Sequence, residues 1–144
     1  MDEQAVMKPK LVVAGASGFI GTAVCQELVK RYDVVVLTRS RARSQMANPG
    51  IPVSWLYCDL FSRRDVENAL AGSEYAVYLV HVMMPTAHLD QSHSDDINLL
   101  LADNFARAAQ INNVRQIVFF GGIISEENIS SKILESDKRG LDTW

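Results

Sequence analysis

Hydrophobic and polar positions along the chain alternate between two periods. Lys10–Gly15 (KLVVAG) is a short apolar run rich in β-branched residues, the pattern of a strand buried on both faces. Gly18–Tyr32 switches to helical spacing, with Ile20, Val24 and Leu28 on one face. Asp33–Thr38 (DVVVLT) predicts a second buried strand. Arg39–Gly50 is polar and basic and closes on Asn-Pro-Gly, a turn signal. Val53–Cys58 (VSWLYC) predicts a third strand. Ser62 is placed to cap a helix running to about Leu70, with Asp65 as its box-like partner and Gly72 as its stop. Tyr75–Val82 predicts a fourth strand, and Met83–Ser94, with Pro85, a loop. Asp95–Asn112 predicts the longest helix, with Leu99, Leu100, Phe105 and Ala108 among its apolar positions. Arg115–Gly121 predicts a fifth strand. Beyond Gly122 the chain is polar, with a short helix expected at Ser130–Arg139.

This order predicts an α/β fold: a doubly wound parallel sheet of five strands in the order 3-2-1-4-5, with helices on both faces and right-handed crossovers. A length of 144 residues allows one domain, 1–144, and leaves no room for a second of ordinary size. No internal repeat or low-complexity tract interrupts it.

Composition narrows the class. An apolar share of 48% suffices for a packed core, and 22% charged residues is ordinary for a globular protein, so disordered, collagen-like and coiled-coil readings fall away. Fourteen basic against seventeen acidic residues leave a net charge of −3, which gives no pull toward nucleic acid or an anionic membrane. Two cysteines, Cys25 and Cys58, cannot form a disulfide framework and fit a reducing, cytoplasmic compartment. Met1–Lys10 has no apolar core and does not read as a signal peptide. The longest apolar run, near Ala76–Met84, falls far short of the roughly 20 residues that span a bilayer.

The candidate chemistry sits between the first strand and the first helix, in Gly15-Ala16-Ser17-Gly18-Phe19-Ile20-Gly21. The glycines recur every three residues, unlike the GxGxxG of the usual dinucleotide fingerprint, but the physics is shared. Gly15 allows a sharp turn. Gly18 leaves room for a pyrophosphate against the backbone, and Gly21 allows the helix to lie close on the strand. The helix N-terminus presents free N–H groups and partial positive charge to phosphate. A merely tight, glycine-rich turn is the plain alternative.

Following Leu-Val-Val-Ala, this loop resembles the opening of extended and atypical short-chain dehydrogenases/reductases, which include NAD-dependent epimerase/dehydratase and NmrA-like proteins. The resemblance continues through Thr38-Arg39-Ser40, Cys58-Asp59-Leu60, Tyr78-Leu79-Val80-His81, Asn104-Phe105-Ala106 and Phe119-Phe120-Gly121-Gly122, and so covers nearly the whole chain. It implies a Rossmann-type domain that binds NAD(P). It also implies a longer protein in most relatives, where a C-terminal lobe holds the substrate.

An NAD-selective site usually has an acid at the end of the second strand, bonding the ribose 2′-OH. Here that end reads Leu37-Thr38-Arg39-Ser40-Arg41-Ala42-Arg43, with no acid. Arg39 lies about 18 residues past Gly21, where a guanidinium can pair with a 2′-phosphate, and Arg43 is the second candidate, with Ser40 between them. The expectation is NADP(H) as preferred cofactor, with NAD(H) as the alternative; a solvated basic loop is the plain reading of the same residues. Asp59 and Leu60 follow the third strand. The resemblance implies a contact with adenine there, and a turn role for Asp59 stands equally open. Val80, His81 and Gly121, at the ends of the fourth and fifth strands, are expected to line the rest of the crevice, because ligands lie beyond the carboxyl ends of strands in such sheets.

Catalysis is not legible. Reductases of this superfamily usually carry a Tyr with a Lys four residues on, the Lys lowering the Tyr pKa. Tyr32, Tyr57, Tyr75 and Tyr78 have no such partner, and no Lys occurs between Lys30 and Lys132. Ser125 is a candidate for the active-site hydroxyl, against a surface loop serine. Lys132 or Lys138 could touch the nicotinamide ribose. His81, His88 and His93 lie near Asp90, Asp95 and Asp96 at spacings that match no metal site. Two functions follow. One is the NADP(H)-binding part of an oxidoreductase acting on an unidentified small molecule. The other is a non-catalytic NADP(H)-sensing or partner-binding module. In a five-strand sheet the uncharged run Ile117–Phe120 also forms an edge, so a homodimer through the fifth strand is expected unless Ile123–Trp144 shields it.

Overall fold

The computed structural model describes residues 6–45, 50–81 and 91–121. Its elements run β1 (Lys10–Ala14), α1 (Phe19–Leu28), β2 (Asp33–Thr38), α2 (Arg41–Ser44), β3 (Ser54–Tyr57), α3 (Arg63–Ala69), β4 (Tyr75–Tyr78), α4 (Gln91–Ile111) and β5 (Gln116–Phe119). The sheet is parallel throughout, in the order β3-β2-β1-β4-β5. The expected Rossmann-type topology is therefore the observed one.

Side chains divide between two layers because alternate strand residues face opposite sides. Leu11, Val13, Val34, Val36 and Val77 pack with Ala16 and Cys25 on the α1 side. Val12, Ala14, Leu37, Ala76 and Tyr78 pack with α3 and α4 through Val66, Leu70, Leu101, Phe105 and Ala108. Strand β1, fully covered on both faces, is the centre of the core.

Both helices differ from their expected stripes. In α1 the buried positions are Gly21 and Cys25, while Ile20 is exposed. Cys25 packs on the sheet layer with Val13, Val34 and Val36, while Gly21 is buried against the loop that precedes the helix. In α4, Leu99 and Leu100 are exposed, and Leu101, Phe105, Ala108 and Ala109 form the buried stripe at helical spacing. Helix α4 also begins at Gln91, inside the stretch expected to be loop. It is followed by Asn113 in the left-handed region at φ 55°, a common way to stop a helix.

Two further departures have local causes. Part of the basic stretch after β2 is a short helix, α2, because Ser40 caps it by accepting from the Arg43 N–H at 3.2 Å. Ser62 caps α3 by accepting from the Asp65 N–H at 3.2 Å, but the Ser62 N–H donates to the Asp59 carbonyl at 3.0 Å, which replaces the reciprocal half of the expected box.

Strand β4 ends four residues early, at Tyr78 rather than Val82. Its last ladder bond runs from the Leu79 N–H to the Ala14 carbonyl at 2.8 Å. Beyond it, Gly15 turns β1 away at φ +85°, and Leu79 has no partner strand on that side. The segment 79–81 then leaves the sheet and becomes a wall of the cleft described next. The expected helix at Ser130–Arg139 lies outside the described residues, as do Ser125, Lys132, Lys138 and His88.

Candidate cofactor site

The chain leaves β1 to build α1 and β2 on one side, then returns beside β1 as β4. Strand order reverses between them, and the crevice at such a switch point is where open α/β sheets take ligands. Gly15 makes the crevice possible. A Cβ there would stand 2.7 Å from both the Leu79 carbonyl carbon and the Val80 nitrogen, so only glycine permits β1 and β4 to diverge from so close an approach.

The loop that follows presents backbone rather than side chains. Gly18 is the N-cap of α1, in an extended conformation at φ −93° and ψ −178°. No side chain caps this helix and no acid sits in its first turn, so its leading N–H groups and partial positive charge are available to an anion. A Cβ built on Gly18 meets no protein atom within 4 Å, so its missing side chain leaves open space. Gly21 is the opposite case. Its Cβ would stand 2.3 Å from the Ala16 Cα, so it serves the packing of the loop on its own helix, rather than helix on strand.

A cleft of about 620 Å³ opens here. Gly15, Ser17 and Gly18 form one wall, and Thr38, Arg39, Ser40 and Arg43 a second. Cys58, Leu60 and Phe61 close it after β3, Leu79, Val80 and His81 after β4, with Leu37 and Leu101 at the base. It thus brings together nine of the residues singled out from sequence: Gly15, Ser17, Gly18, Arg39, Ser40, Arg43, Leu60, Val80 and His81. Ala16, Phe19, Ile20, Gly21, Asp59 and Gly121 do not line it. Ala16 is buried beneath the loop, and Phe19 projects outward, 92% exposed. The Asp59 carboxylate accepts the Phe61 N–H at 3.0 Å, the Asx turn that was its alternative role.

Sequence reasoning did not single out Leu37, Thr38, Cys58, Phe61, Leu79 and Leu101 of the lining, or Asn104 behind it. Phe61 is a half-exposed ring on the cleft wall. Asn104 is buried on α4 and donates through Nδ2 to the Leu60 carbonyl at 3.1 Å and the Phe61 carbonyl at 3.3 Å. It fastens the helix to the loop that closes the cleft, and removing such a partner from buried carbonyls costs about 1–3 kcal/mol. An amide on the apolar stripe of a helix was the available signal.

Cys58 and Tyr78, the buried titratable side chains at the ends of β3 and β4, do not offer a nucleophile. Burial, with smaller contributions from Asp65 and Asp59, pushes the Cys58 thiol up to about 12, so it stays protonated at neutral pH. Tyr78 does not line the cleft; its ring packs between Phe105 and Phe119. Burial pushes its phenol to about 12, and its hydroxyl has no hydrogen-bond partner among the described residues. Of the histidine–aspartate cluster, His88, Asp90 and the side chain of His93 lie outside the described residues. No described helix is long and apolar enough to cross a membrane.

Residues 11–127 match the profile of the NAD dependent epimerase/dehydratase family. The chain belongs to that family. It is 31% identical over 116 residues to the auxiliary protein GraX of Staphylococcus aureus, an alignment that covers 81% of this chain and 37% of GraX. Among solved structures it is similar in fold to UDP-N-acetylglucosamine 4-epimerase from Bacillus cereus, with TM-score 0.66 and 22% identity, covering 85% of this chain and 39% of the epimerase. Uronate dehydrogenase from Agrobacterium tumefaciens superposes with TM-score 0.62 and 22% identity, covering 80% of this chain and 41% of the enzyme. A mutant of that dehydrogenase was solved in complex with NAD and matches equally well, with TM-score 0.62 at 21% identity. The chain therefore spans about two-fifths of the length of these relatives. Its described residues form the Rossmann-type fold of the epimerase/dehydratase family.

Proposed function

We propose that the cleft holds NADP(H), with the pyrophosphate against Gly15–Gly18 and the adenosine ribose toward Arg39 and Arg43. The observation that carries this reading is the chemistry of the cleft's two ends. An uncapped helix N-terminus with an open Gly18 faces one end, and two arginines with no accompanying acid face the other. Neither guanidinium is in an ion pair among the described residues, so both remain available to an added phosphate. When bound, the nicotinamide would supply hydride chemistry. This chain's part is to bind and orient the dinucleotide.

Arg39→Ala is expected to weaken NADPH tenfold to a hundredfold, because a charge-assisted hydrogen bond is worth roughly 1.5–3 kcal/mol, while NADH changes little. Fluorescence titration of both cofactors measures this. Equal losses for the two would show that Arg39 does not read the 2′-phosphate.

The wider activity we infer is that of an oxidoreductase-type protein acting on an unidentified small molecule in a reducing, cytoplasmic setting; the free, buried Cys25 and Cys58 support the setting. A specific observation favours a second reading, a non-catalytic sensing or partner-binding module. No tyrosine in these 144 residues has a lysine four positions on, and the one at the end of β4 is buried away from the cleft. A reading frame that supplies a Tyr-x-x-x-Lys pair would decide for the enzyme.

Pairing of two copies through β5 belongs to the same proposal. Strand β5 is outermost in the described sheet, and Val118, Phe119 and Phe120 are about half exposed. Light scattering on the purified chain is expected to report a dimer or larger species. A clean monomer near 16.0 kDa at high concentration would refute it.

A further inference from the structure

Two arginines line the cleft, but they are held very differently. Arg39 is exposed, and no ring, carboxylate or hydrogen bond among the described residues fixes its guanidinium. Arg43 is held at both ends. Its backbone N–H donates to the Ser40 hydroxyl at 3.2 Å, and Ser40 is in turn tied to Thr38 by its own N–H donating to Oγ1 at 3.0 Å. Its guanidinium carbon lies 5.3 Å from the centroid of the Trp55 ring, within cation–π range.

Trp55 is itself fixed. It sits in β3 opposite Val36 of β2 and packs its half-buried ring on the core layer that includes Val34 and Val36. The indole is thus a fixed platform, and the guanidinium carbon of Arg43 lies over its ring. The N–H donors of a guanidinium point outward in its plane, so stacking leaves them free to meet a phosphate. A loose arginine must be ordered when the anion binds, which costs rotamer entropy; one held on an indole is ordered beforehand.

We propose that Trp55 is a positioning residue that holds the Arg43 guanidinium at the cleft wall and thereby sets the preference for an adenosine 2′-phosphate. The inference rests on the NADP(H) reading above and deepens it. Arg39 contributes charge, and Arg43 contributes a prearranged fork. The neighbouring stack, Arg41 at 4.3 Å over Tyr57, has the same form, but Arg41 does not line the cleft, so it provides an internal control.

The test is calorimetric titration with two probes, adenosine 2′,5′-bisphosphate and 5′-AMP, whose affinity ratio isolates the 2′-phosphate. The expected result is that Trp55→Leu lowers this ratio about threefold to tenfold and leaves 5′-AMP binding unchanged, while Tyr57→Leu leaves the ratio as it was. Arg43→Lys keeps the charge and loses both the stacking plane and the fork, and it is expected to lower the ratio as Trp55→Leu does. In an Arg43→Ala background, Trp55→Leu should have no further effect. Should Trp55→Leu fail to fold, Arg43→Lys still decides, because a full ratio in that variant would overturn the proposal. A wild-type ratio retained by Trp55→Leu, or an equal loss for both probes, would also overturn it, the second by exposing a purely structural role. A wild-type chain with no preference for the bisphosphate would instead overturn the NADP(H) reading, and this inference with it.

Discussion

Gly21→Ala is expected to lower the melting temperature of the chain by roughly 5 °C or more and to weaken dinucleotide binding more than tenfold. The added methyl carbon would stand 2.3 Å from the Ala16 Cα, 2.6 Å from its carbonyl carbon and 2.7 Å from its carbonyl oxygen. All three are backbone atoms, so no side chain can swing aside, and the loop 15–18 must move away from α1. Two effects compete. Alanine is better than glycine inside a helix by about 1 kcal/mol. Overpacking a close contact costs about 1–3 kcal/mol and occasionally more. With a contact this short against backbone, the overpacking term exceeds the gain. The displaced loop carries Gly15, Ser17 and Gly18, which line the cleft, so stability and affinity should fall together. Thermal unfolding followed by circular dichroism, with NADPH titration on the same sample, measures both. A variant with unchanged melting and affinity would show that the close approach of α1 to its loop is not required.

Gly18→Val is expected to separate what Gly21→Ala joins: at least tenfold weaker NADPH binding, about 1.4 kcal/mol, with the fold retained. The backbone at Gly18 is extended, at φ −93°, which valine adopts readily. Its Cβ meets nothing of the protein within 4 Å. The stability cost is confined to replacing a glycine by valine at a helix N-cap, about 1 kcal/mol or less. The isopropyl group would instead fill the space over the first N–H groups of α1, where the pyrophosphate is proposed to lie. Undiminished NADPH binding would remove the pyrophosphate from this loop. The pair of variants also discriminates between the two roles a glycine can have here, space for the protein and space for a ligand.

How much of this was legible in the residues varies with the range of the interaction. The Asp33–Thr38 strand was readable to the residue because a run of β-branched side chains bounded by polar ones needs no partner to declare itself. The glycine loop was legible for the same reason: a β-run, three glycines and a helical period are contiguous. Arg39, Ser40 and Arg43 could be placed at the cleft because strand ends in a parallel sheet share one edge. Of the apolar positions read on α4, Phe105 and Ala108 are buried and Leu99 and Leu100 are not, since Leu99, Leu100 and Leu101 are chemically alike and only the docking of the helix on the sheet selects Leu101.

By itself, then, the sequence determined the order of elements, the parallel sheet and the glycine-rich loop between β1 and α1, all of which follow from periodicity and residue type within short segments. The tertiary structure alone decided where β4 ends, because the Leu79 N–H finds its last partner at Ala14 and Gly15 then turns away. It alone decided that Asn104 reaches a loop more than forty residues earlier, and that Trp55 lies under Arg43 while Tyr57 lies under Arg41. Each of these depends on the register between segments far apart in the chain, such as Val36 beside Trp55. In a parallel sheet whose strands are joined by long crossovers, that register is fixed only when the buried faces of the assembled strands come together.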